Sequence, residues 1–136
     1  MITIKSINFI KGIKFCHYQY LNSQNNMQSS ESGLIPCSNP LNCVFFQKEF
    51  ENVDKTFNQL VKIAQKIPRT KVLENNDSYW KGVCRSLIFR FPDDLEILKL
   101  GKKIQIKSAS RYGGSDLGVN GLRVGRLLTD LEKLNR

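Results

Sequence analysis

The dipeptide Gly101-Lys102, set between the strand-prone runs 95–100 and 103–110, constrains this chain more than any other feature. Glycine at the first central position of a two-residue connection is the signature of a type II′ turn, whose twist matches that of the strands it joins. Such a turn fixes the register. Facing residue numbers sum to 203, so Ile97 meets Ile106 on one face and Glu96 meets Lys107, an opposite-charge pair, on the other. Carried further, Leu95 faces Ser108 and Asp93 faces Ser110, so the apolar side of the hairpin turns polar at the end remote from Gly101.

The flanking segments supply the rest of an architecture. Phe57, Leu60, Val61 and Ala64 recur at helical spacing, Asp54 is positioned to cap that helix, and Pro68 stops it. Residues 69–74 read as a short strand before the Asn75-Asn76-Asp77 turn. Residues 79–91 read as one long strand from their Tyr, Trp, Val, Ile, Leu and Phe content. Arg85 and Arg90 would fall on opposite faces of that strand, which calls for a bulge near Gly82. A last amphipathic helix carries Val124, Leu127, Leu128, Leu131 and Leu134, with Asp116 or Asn120 as its cap. The fold class is therefore α+β: an antiparallel meander of three to four strands, two helices packed on one of its faces, and a cysteine-containing loop on the N-terminal side.

With 136 residues, the chain has room for one domain, expected over 33–136 and preceded by a flexible segment 1–32. No apolar run reaches the roughly 20 residues that span a bilayer. Residues 1–20 are interrupted by Lys5, Lys11 and Lys14, leaving no uninterrupted core for a secretory signal. They carry no acidic residue, so a weakly amphipathic basic helix serving as an organellar targeting segment or membrane-surface anchor stays open, as does a true start at Met27. Absence of a signal makes a soluble cytoplasmic protein the expectation, with an organellar or thylakoid-associated one if residues 1–26 are a targeting segment.

Net charge is +9, distributed as +2 over residues 1–32, +2 over 33–100 and +5 over 101–136. A nucleic-acid surface needs aromatics interleaved with such cations, and Tyr112 is the only one in the last stretch, which argues against nucleic acid and for a solvated basic surface. The cysteines argue against zinc: Cys37 and Cys43 are spaced too widely for a usual ligand pair, and Cys16, His17 and Cys84 complete no set. Cys37 and Cys43 could instead close a short disulfide in an oxidising compartment, or stay as thiols in a reducing one. Cys84 reads as a small buried hydrophobe. No metal or cofactor is expected.

Chemistry concentrates where the topology converges. The register brings Asp93, Asp94, Ser108, Ser110 and Arg111 to one rim, beneath a glycine-rich loop that carries Ser115, Asp116, Asn120 and Arg123 into the last helix. Free amides at that helix start and two arginines suit a phosphate or carboxylate, either on a small molecule or on an acidic protein segment. The loop lacks the lysine and hydroxyl residue of a P-loop. The bland alternative is a structural network of ion pairs, caps and satisfied hydroxyls. Asp93, Asp94 or Asp116 beside Ser108 or Ser110 could in principle do acid/base work, but no histidine or nucleophile elbow accompanies them. Three functions follow in order: a noncatalytic binding or accessory module, an enzyme using those carboxylates, and a charge-driven binder of membrane surfaces or nucleic acid.

Three ordered stretches carry a resemblance. They are Leu34-Ile35-Pro36-Cys37-Ser38-Asn39-Pro40-Leu41-Asn42-Cys43, then Phe89-Arg90-Phe91-Pro92-Asp93-Asp94-Leu95-Glu96, then the run from Lys107 through Arg111, Asp116 and Asn120 to Arg123. Together they resemble the domain-of-unknown-function family numbered 1499, over about residues 33–134. Ser38 and Leu41 depart from a proline and a serine of that family's first motif, and Lys107 replaces an arginine. The resemblance implies that Cys37, Cys43 and the rim residues carry the family signature. It implies no activity, and it implies relatives in bacteria and photosynthetic lineages, often behind an export signal or membrane segment.

Overall fold

The computed structural model describes residues 33–136 throughout and, ahead of them, the backbone of residues 6–10 and 13–17. These last form the antiparallel pair β1 (Ser6–Ile10) and β2 (Ile13–His17), where a basic helix had been one expectation. The β-branched and aromatic content of Ile7, Phe9, Ile10, Ile13 and Phe15 favours strand over helix. The remaining residues of the 1–32 segment, Met27 included, lie outside the described ones.

The body is a five-stranded antiparallel sheet in the order β3-β7-β6-β5-β4, with two helices on one face. Its strands are β3 (Cys43–Glu49), β4 (Thr70–Asn75), β5 (Tyr79–Arg85), β6 (Pro92–Leu100) and β7 (Lys103–Ser110). The last four form the expected meander. β3 is the correction to the three- to four-stranded expectation: it pairs along the free edge of β7, with Phe46 opposite Ile106 and Cys43 opposite Ala109. Its pairing partner lies some sixty residues away, so no local turn announces it.

Every facing pair of β6 and β7 sums to 203, from Leu100 with Lys103 to Asp93 with Ser110. Gly101 has φ +57, as the first central position of a type II′ turn requires. The run 79–91 is not one strand: β5 ends at Arg85, and the chain turns through 86–91 before β6 begins at Pro92. The register shift near Gly82 lies in the partner, between Val72 and Glu74 of β4. Gly82 itself is needed for another reason, because a Cβ there would sit 2.6 Å from the Trp80 ring that lies over it.

Helix α1 (Val53–Gln65) is capped by Asn52, whose side-chain oxygen accepts from Lys55 N at 3.0 Å. Asp54 therefore lies within the first turn, where its charge complements the helix dipole. Helix α2 (Val119–Leu134) follows the glycine loop. The stripes Phe57, Leu60, Ala64 and Val124, Leu127, Leu131 close over Trp80, Leu95, Ile97, Ile104 and Ile106, all buried. Both helices cover the same face, and the connection from β3 through α1 to β4 carries the chain from one edge of the sheet to the other.

Candidate functional site

Strand alternation divides the rim that the sequence gathers. Asp93 shares the helix side with Leu95 and Ile97, whereas Asp94 points to the opposite side with Glu96. Two polar clusters result, one on each face of the sheet.

The first lies under α2 and is nearly dry. Arg123 Nη2 donates to Asp93 Oδ2 at 2.8 Å, with only 10% and 5% of the two side chains exposed. Arg123 Nη1 donates to Ser108 Oγ at 3.0 Å and to Asn120 Oδ1 at 2.6 Å. Ser108 Oγ donates to the same Asn120 Oδ1 at 2.6 Å, and Asn120 Nδ2 donates to Ser110 Oγ at 3.0 Å and to the Asn42 carbonyl at 3.2 Å. Ser110 Oγ donates to Asp93 Oδ1 at 2.8 Å and closes the circuit. Buried charge in low dielectric demands such complete pairing. Ser108 and Asn120 are fully buried, so this cluster ties α2 to β6, β7 and the start of β3.

On the other face, Arg111 holds Asp94 in a fork, Nε to Oδ2 at 3.0 Å and Nη2 to Oδ1 at 2.8 Å. The hydrogen bond and charge of Asp94 raise the guanidinium further above its ordinary pKa. Beyond Asp94, Glu96 accepts from the Tyr79 hydroxyl at 2.7 Å and pairs with Lys81 at 3.1 Å. Burial first, then the Glu96 bond and charge, push the Tyr79 phenol up out of its ordinary range. The chain at 33–35 crosses this face, where Leu34 N donates to Gln105 Oε1 at 2.7 Å.

The glycine loop is anchored rather than open. Asp116 accepts from Gly118 N at 2.8 Å and Asn120 N at 2.9 Å, so it holds the start of α2 without being the formal cap, Gly118. Ser115 accepts from Leu117 N at 3.3 Å and joins neither cluster. Asn42 and Asn39 donate to the carbonyls of Gly113 and Gly114, joining this loop to the cysteine loop. There Cys37 and Cys43 form a disulfide, with Cα atoms 5.7 Å apart. Among the described residues, no three His, Cys, Asp or Glu side chains gather as a metal site.

A groove of about 710 Å³ opens beside the first cluster, between the C-terminal end of α1, α2 and the end of β5. Its floor is Ile63, Ile67, Leu122 and Leu127, with Arg123 in its wall. Lys66, Arg69, Arg85 and Arg126 border it, and among the described residues none of these four has a carboxylate within ion-pair distance. Its one acid, Asp130, is paired with Lys133. Cys84 also reaches this groove from the core, and burial pushes its thiol pKa up. Apart from Arg123, none of the residues lining this groove stood out in the sequence as a site candidate, because they come from three elements and share no motif. The failed alternation at Arg85 and Arg90 was the available signal.

Fold and site define a small α+β domain: two helices over one face of an antiparallel sheet, with a buried ion-pair circuit and a disulfide-bonded loop at one end. The chain belongs to the family described as protein of unknown function DUF1499, whose model matches residues 20–131. No curated protein matches it. No helix among the described residues is long and apolar enough to cross a membrane.

Proposed function

We propose that this protein is a noncatalytic binding module that takes a small amphipathic anion into the groove between α1 and α2. One observation carries the reading: an apolar floor bordered by four cations that have no carboxylate in ion-pair distance among the described residues. A volume of about 710 Å³ suits a medium-length acyl or aromatic acid, with the apolar part on Ile63, Ile67 and Leu122 and the acid against Arg126 and Arg69. Arginine suits that role because its planar fork binds carboxylate or phosphate through paired hydrogen bonds. The rim residues then act as the frame that holds Arg123 and α2 in place.

The noncatalytic reading is supported by where the reactive groups point. Asp93 and Ser110 are bonded to each other, Ser108 to Asn120 and Arg123, Asp94 is held by Arg111, and Asp116 is held by two backbone amides. None offers a base beside a free nucleophile in the way acid/base catalysis needs.

Calorimetric titration of the full chain with decanoate below its micellar concentration tests the proposal, with decanol and inorganic phosphate as controls. Decanoate should bind more tightly than either control, and Arg126→Ala should weaken it by about tenfold or more through loss of a charge-assisted contact. Equal binding of decanoate and decanol, or an Arg126→Ala variant indistinguishable from the parent, would remove the groove from consideration.

A further inference from the structure

The loop 86–91 joins β5 to β6 and displays four large apolar side chains outward: Leu87, Ile88, Phe89 and Phe91 are 67%, 78%, 73% and 57% exposed. It is a built loop. Ser86 N donates to the Phe91 carbonyl at 3.1 Å, and Phe91 N donates back to Ser86 Oγ at 2.9 Å, closing its neck. Arg85 Nη1 braces the Arg90 carbonyl at 3.3 Å, and the Phe89 and Phe91 rings stack at 5.5 Å. The glycine loop leaves β7 at the same end of the sheet, with Arg111 N bonded to the Pro92 carbonyl. It adds Tyr112 and Leu117, 70% and 92% exposed. Half of the large apolar residues exposed among the described ones thus share one end of the sheet. A set this concentrated marks a contact surface.

We propose that this end of the sheet docks on an anionic phospholipid bilayer, with Ile88 and Phe89 entering the headgroup boundary. The shape favours a membrane: the apolar groups stand on protruding loops, where a protein partner would have to supply a matching hollow. Charge favours it as well. Arg69, Arg85 and Arg90 flank the loop without a carboxylate in ion-pair range among the described residues, while Asp93 and Asp94 behind it are neutralised by Arg123 and Arg111. Arginine beside aromatic and aliphatic side chains suits that boundary, because its stem lies along the apolar layer while its head reaches lipid phosphates.

The proposal goes beyond the groove and is tested apart from it, since neither Ile88 nor Phe89 lines that groove. Sedimentation of the full chain with vesicles of phosphatidylcholine and phosphatidylglycerol should exceed that with phosphatidylcholine alone and fall with added salt. Ile88→Ser with Phe89→Ser should weaken binding on the order of a hundredfold, about tenfold for each side chain, with the thermal midpoint unchanged. Arg90→Asn should weaken it about fivefold. Asparagine suits the left-handed backbone there, φ +58, so this change should not disturb the loop. Failure to sediment with anionic vesicles, or a double variant that binds like its parent, overturns the proposal. So does a dimer in lipid-free solution that the same double variant abolishes, because the surface would then be a contact between copies.

Discussion

Replacing Arg123 by methionine keeps the bulk of the side chain and removes the guanidinium that holds three partners. Asp93 would keep only the Ser110 hydroxyl, with its carboxylate side chain 5% exposed beneath α2. Stranding a buried charge in this way costs about 3 to 5 kcal/mol, mostly the penalty of the unpaired ion rather than the net worth of the pair. With a urea slope of about 2 kcal/mol per molar, the midpoint should fall by about 2 M. Trp80, fully buried, provides the fluorescence signal, and the measurement is made without reductant so that the Cys37–Cys43 bond stays closed. The companion variant Asp93→Asn with Arg123→Met removes the stranded charge and should recover about 2 kcal/mol, which a double-mutant cycle reports as coupling. A single variant that loses under about 1 kcal/mol, together with additive effects in the cycle, would refute the reasoning: the two charges would be solvated and the circuit would not hold α2 down.

Three further outcomes follow from the same structure. Gly82→Ala should destabilise by about 1 to 3 kcal/mol in a urea or thermal titration, because its Cβ would meet the Trp80 ring at 2.6 Å and the Thr70 methyl at 3.1 Å; an unchanged midpoint would mean that the ring moves freely. Opening the disulfide with Cys37→Ser and Cys43→Ser should cost about 2 kcal/mol, the loop entropy of a bridge with sequence separation 6, measured as a shift in thermal midpoint. Tyr79 contributes stability that is fully present below the ordinary phenol pKa of about 10 and is lost as pH rises through its elevated folded value. Ultraviolet titration should therefore show the most alkaline phenol step disappearing in Tyr79→Phe, and loss of a step in the ordinary range instead would contradict the Glu96 hydrogen bond.

The parts of the fold that local chemistry dictates were legible in the sequence. Gly101 fixed a turn type, the turn fixed a register, and the register placed Asp93 against Ser110 before any helix was positioned. The two helical stripes were equally plain, because each repeats within its own segment, although Leu134, expected in the second stripe, ends the helix exposed. What escaped was non-local or local but misleading. β3 is held by β7, whose residues lie far along the chain, and the loop that precedes it carries only turn chemistry. The rim residues meet at one sheet end, and sequence position alone does not divide them. Strand alternation sends Asp93 and Asp94 to opposite faces, a consequence of the same register.

The loop 86–91 misled for a more informative reason. Leu87, Ile88, Phe89 and Phe91 look like core residues, and a strand was the economical place to put them, yet the structure holds them outside behind a hydrogen-bonded neck. Natural sequences break the agreement between local pattern and global burial chiefly where a site requires it. This end of the sheet breaks a second rule as well. Arg69, Arg90 and Leu117 are the non-glycine residues with positive φ among the described ones, and all three lie at this end. Left-handed backbone costs about 1 to 2 kcal/mol for a residue with a Cβ, which glycine would relieve. Strain, apolar exposure and unneutralised arginines thus converge on one end of the molecule. The strained backbone costs folding energy and the exposed apolar groups forgo the stabilisation that burial would give, which is the physical ground for proposing a contact surface there rather than on the pairing-rich face around Glu96 or inside the closed circuit of Asp93 and Arg123.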